Sequence, residues 1–80
     1  MANESKKDSA VRRIKTGLEA LATFARIREE LILMRMTTRA GERRERLEQS
    51  LRLNEETMVE VRKSLWRAED DLLREMGNAS

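Results

Sequence analysis

The chain has 80 residues, 17 of them Lys or Arg and 15 Asp or Glu, with no His, Cys, Pro or Tyr, one Trp and one Phe. Without imidazole or thiol there can be no thiolate–imidazole zinc site, no Cys nucleophile, no Ser–His pair and no disulfide. At 40% charged and 39% hydrophobic residues it is neither a membrane span nor a disordered polar tail, and so short a chain rarely builds a sufficient core by itself.

Residues 1–8, Met-Ala-Asn-Glu-Ser-Lys-Lys-Asp, show no apolar spacing and read as a flexible N-terminal arm that does not resemble a secretory signal. Ser9, or Asp8 before it, is the expected N-cap of a first helix over 9–37. Within that helix two apolar lines coexist. Val11, Ile14, Leu18, Leu21, Ala25 and Ile32 follow one, interrupted by Arg28; Gly17, Ala20, Phe24, Ile27, Leu31 and Met34 follow the other. At about 100° per residue the two lines lie on largely different sides of the helix. A helix in a monomeric hairpin needs one apolar stripe, so two stripes predict contact from two directions. The second line is accordingly expected to mediate self-association.

Thr37-Thr-Arg-Ala-Gly41 is the turn-like cluster, which places a turn at 38–41 with Gly41 at a left-handed C′ position. A second helix is expected over 42–76, with a tail at 77–80. Its seam is regular: Leu47, Leu51, Asn54, Met58, Val61, Leu65, Ala68 and Leu72 alternate in steps of four and three, a heptad run. Asn54 has two readings. In the seam it fixes register and partner number; as an N-cap of Asn54-Glu-Glu-Thr57 it would break the helix and start another. Val59, Trp66 and Leu73, spaced by sevens, form an extra line beside the seam.

The formal charge of +2 is unevenly placed: +2 over residues 1–34, +3 over 35–46 and −3 over 47–80. In an antiparallel hairpin the basic start of the first helix lies beside Glu69, Asp70, Asp71 and Glu75 at the end of the second. A parallel pair would need a crossover longer than this turn. The fold expected is therefore an all-α antiparallel two-helix hairpin, forming one domain over 9–76 and assembling as a homodimer or larger bundle with the first helix towards the centre.

Carboxylate clusters at Glu29-Glu30, Glu55-Glu56 and Glu69-Asp70-Asp71 sit in charge-rich helical faces and read as solvated surface, and no glycine-rich phosphate loop is present. No enzyme activity, metal or cofactor is expected. Candidate partner-binding residues are Trp66, as a large aromatic anchor, and the arginines Arg35, Arg39, Arg43, Arg44 and Arg46, which suit phosphate or an acidic protein patch. Ser50-Leu-Arg-Leu-Asn-Glu-Glu-Thr57 resembles the strand and first-helix entry of the ribbon-helix-helix DNA-binding family, and that resemblance implies a short strand here. The reading expected from the whole chain is a small cytoplasmic, non-enzymatic interaction protein that regulates, adapts or inhibits a larger protein. A nucleic-acid-binding bundle using the arginines comes second, and a structural subunit of a helical assembly third. No membrane association is expected.

Overall fold

The computed structural model describes residues 5–78, and its two helices are α1, Lys6–Thr37, and α2, Glu42–Asn78. They pack antiparallel into an all-α hairpin about 59 Å long and 24 by 15 Å across. No described helix is long and apolar enough to cross a membrane.

Helix α1 begins earlier than its sequence suggests. Ser5, in extended conformation, accepts a hydrogen bond at Oγ from the Asp8 N–H at 3.0 Å, so Ser5 rather than Ser9 or Asp8 is the cap. Asp8 instead falls in the first turn, where its charge favours the helix dipole. The expected arm over 1–8 is thus helical from Lys6; its first four residues lie outside those described, as do the last two of the expected tail, whose Gly77 and Asn78 extend α2.

The other end of α1 is closed by threonines. Thr37 Oγ1 donates to the Leu33 and Met34 carbonyls at 3.3 and 3.1 Å, and Thr38 Oγ1 donates to Met34 O at 2.6 Å. The bonds to Met34 fall on the last turn, whose carbonyls the helix itself leaves open, and the bond to Leu33 adds a second donor to a carbonyl of the turn before. Thr38 is extended and its N–H bonds to Arg35 O at 3.3 Å. Gly41 does not serve as the C′ residue of α1. It enters α2: its carbonyl accepts the Glu45 N–H at 3.1 Å, and its φ of +142° is one that other residues rarely adopt.

Helix α2 is unbroken. Its seam is the expected heptad run, with Leu51, Asn54, Met58, Leu65 and Ala68 buried and Leu47, Val61 and Leu72 half-buried. The strand implied at Ser50–Leu53 by the ribbon-helix-helix resemblance is helix, and that resemblance does not describe this fold. Asn54 stands inside the seam, where Nδ2 donates to the Phe24 carbonyl at 3.0 Å and approaches Met58 Sδ at 3.7 Å.

Helix α1 departs most from its pattern. Its inward face is Ala10, Ile14, Gly17, Leu21, Phe24, Arg28, Leu31 and Arg35, of which all but Arg28 are buried or half-buried. That run has steps of four and three, and it takes residues alternately from both apolar lines. Gly17, Phe24 and Leu31, expected to face another subunit, are therefore part of the hairpin interface. At Gly17 the reason is steric. A Cβ there would lie 3.2 Å from Leu65 Cδ1, so the missing side chain lets Leu65 seat against the α1 backbone.

Candidate interaction surfaces

Besides the Asn54–Phe24 bond, three contacts fix how the helices stand side by side. Arg13 pairs with Asp71 at 2.8 Å, Gly17 faces Leu65, and Arg28 Nε lies 2.5 Å from Glu55 Oε1. Arg28 occupies an inward position but leans to the flank to meet Glu55, whose Oε1 is shielded from solvent and has this ion pair in place of a well-aligned hydrogen bond. The Arg13–Asp71 contact realises the expected pairing of basic start with acidic end.

With that register, the leftover apolar residues fall into rows. On the flank that holds the Arg28–Glu55 pair, α1 presents Val11, Leu18, Ala25 and Ile32, seven residues apart. Further round α2 on the same side run Val59, Trp66 and Leu73, which stand level with Ala25, Leu18 and Val11 in turn. They are 41%, 60% and 65% exposed, so the hairpin leaves this row outside its core. Trp66 is the large aromatic singled out from sequence, and within one chain it does not enter the packed interface. On the opposite flank only Ala20, Ile27 and Met34 remain of the expected self-association line; Ile27 and Met34 are exposed and Ala20 is half-buried.

The arginine cluster does not gather into one surface. Arg35 is half-buried on the inward face of α1. Arg44 and Arg46 form ion pairs one turn away along α2, with Glu48 at 3.7 Å and Glu42 at 3.8 Å. Arg39 in the turn and Arg43 at the start of α2 are exposed. At about 100° per residue, Arg43 and Arg46 lie about 60° apart on one side of α2, with Arg44 about 100° from Arg43 in the other direction. With Arg35 turned inward and Arg44 and Arg46 beside glutamates, less positive charge is left to converge on one phosphate, on which counterion release and bidentate contacts both depend.

Grooves along the seam are similarly mixed. One of about 520 Å³ at the open end has Lys6, Arg13 and Arg74 facing Asp71 and Glu75, so its charges largely offset each other. Near the turn a groove of about 240 Å³ brings Arg28, Arg35 and Arg52 round Glu55. Among the described residues no set of three carboxylates is placed to hold a metal ion. Comparison with protein-family models, with curated proteins and with solved structures finds no match to this chain. The surfaces themselves must therefore carry the functional reading.

Proposed function

We propose that this chain is a small, non-enzymatic protein-interaction module, a regulator, adaptor or inhibitor that acts in the cytoplasm by laying a helical face on a larger protein. The observation that carries the reading is the exposed row Val59, Trp66 and Leu73. These side chains contribute little to the hairpin, yet they repeat with the period of a helical contact surface. A Trp in such a row is the residue type that most often dominates a protein interface. The absence of His, Cys and Tyr leaves few groups for acid–base or covalent chemistry.

Affinity capture from cells of the protein's own source, at physiological salt, tests this with Trp66→Ala beside the wild type. The expected result is a defined protein retained by the wild type and depleted about tenfold or more by the substitution, the size of a hot-spot loss. Circular dichroism should show both chains equally helical, because Trp66 lies outside the seam. An identical set of retained proteins with Trp66→Ala would overturn the reading.

The second reading, a nucleic-acid-binding bundle, draws on the exposed Arg39 and Arg43 at the turn. It predicts retention of nucleic acid that weakens steeply between 50 and 200 mM salt, by roughly a thousandfold if six phosphates are contacted, with a shallower slope after Arg43→Ala.

A further inference from the structure

We propose that α1 carries a second heptad seam on its outer face, and that this seam takes a second copy of the chain, α1 against α1, antiparallel across a two-fold axis at Ala22. The row is Val11, Lys15, Leu18, Ala22, Ala25, Glu29, Ile32 and Met36, again in steps of four and three, and six of its eight members are apolar. Each member follows a member of the inward run, so the row lies about 100° round α1 from the face that packs α2. Apart from Ile32, which is half-buried, all of it is exposed, with Val11, Leu18 and Met36 at 47%, 54% and 75%. The corresponding row on the other flank, Arg13, Thr16, Ala20, Thr23, Ile27, Glu30, Met34 and Thr37, has three apolar members and three threonines, a much poorer seam.

What identifies the occupant is charge. The two charged members, Lys15 and Glu29, stand seven residues either side of Ala22, and neither makes an ion pair within the described hairpin. Turned end for end about Ala22, a second α1 sets its Glu29 against Lys15 and its Lys15 against Glu29. Glu19 and Arg26, one step further round, are similarly opposed, with a one-residue offset. Within one residue of that pairing Val11 meets Ile32 and Leu18 meets Ala25, and Ala22 meets its own copy on the axis, where two small side chains let the backbones approach. A parallel pairing would instead oppose Lys15 to Lys15 and Glu29 to Glu29. Charges flanking an apolar seam choose partner and direction in this way, and a self-complementary patch is the signature of a two-fold interface. The product is a four-helix bundle with the two α1 helices adjacent and antiparallel.

The chain has no Cys, so one introduced thiol reports the axis. Ala22→Cys should oxidise to a disulfide-linked dimer at least tenfold faster than Thr23→Cys, which lies on the opposite flank. Sedimentation velocity on the full chain should show a dimer whose dissociation constant rises about tenfold with Lys15→Glu and recovers with Lys15→Glu/Glu29→Lys, the result of turning two attractive pairs repulsive and back. Both positions are exposed, so helicity by circular dichroism should not change. A monomer at all concentrations overturns the proposal, as does equal oxidation of the two thiols or a dimer indifferent to the charge reversal. Such a monomer could still capture a protein through Trp66, so this result leaves the interaction reading standing.

Discussion

The two halves of the hairpin are built differently. Towards the open end, Ala10, Ile14, Gly17 and Leu21 pack against Leu65, Ala68 and Leu72, and Ala10 and Ala68, the two residues with no exposed surface among those described, are both here. Towards the turn, Phe24, Arg28, Leu31 and Arg35 face Leu47, Leu51, Asn54 and Met58, so two arginines and an amide interrupt the apolar run. The open half gains stability by close approach, since small residues let leucines reach the opposing backbone. The turn half gives up apolar burial for polar contacts that admit fewer registers. One hairpin thus separates adhesion from alignment along its length.

Leucine truncations should show that separation most strongly. Leu65→Ala removes a side chain only 7% exposed and seated over Gly17, and should cost about 2–4 kcal/mol. Leu31→Ala, at a half-buried position in the turn half, should cost less than half as much. Urea unfolding followed by circular dichroism measures both, and equal losses would mean that the halves are energetically alike.

A methyl at Gly17 sharpens the point because two effects oppose each other. Alanine is favoured over glycine in a helix by about 1 kcal/mol, but the new Cβ would press on Leu65 Cδ1 at 3.2 Å. Crowding a packed site costs about 1–3 kcal/mol, so Gly17→Ala should destabilise by about 1 kcal/mol in the wild type. With Leu65 already cut to Ala, the same change should stabilise by about 1 kcal/mol, the propensity gain alone. A double-mutant cycle that shows no change of sign would deny that the open half is held by this close approach.

In the turn half the informative change is Asn54→Leu. Apolar substitution at a seam position should raise stability by about 1 kcal/mol while loosening register and partner number. Sedimentation should then show a broader distribution of species than the wild type. If the substitution lowers stability, the bond from Asn54 to the Phe24 carbonyl outweighs the added burial.

Helix α2 was readable from its sequence because its apolar residues form one seam, and the three extra ones stand apart at sevens. Helix α1 was readable as a helix but not as a face. Its true inward run contains Gly17, Arg28 and Arg35, which a search for apolar residues skips, while the flanks on either side are apolar enough to look like seams. Treating Gly17 as a hole for Leu65 and Arg28 as reaching sideways to Glu55 recovers the run 10, 14, 17, 21, 24, 28, 31, 35. Neither relation is visible until α2 is set alongside. The surface role of Trp66 was open for a similar reason: a Trp at helical spacing is equally compatible with a bundle core, and only the register of the hairpin puts it outside.

The smallest effect belongs to the ion pair that was expected to choose the hairpin's direction. Arg13 and Asp71 are 2.8 Å apart, yet their side chains remain 45% and 43% exposed. Water and salt screen such a pair, so Asp71→Asn should cost no more than about 0.5 kcal/mol at low ionic strength. In 1 M salt the difference should vanish. A loss that persists there would mean that Asp71 contributes through packing or hydrogen bonding at the open end. A loss that disappears leaves direction to the short turn and the close-packed seam, with the surface charges merely compatible with it.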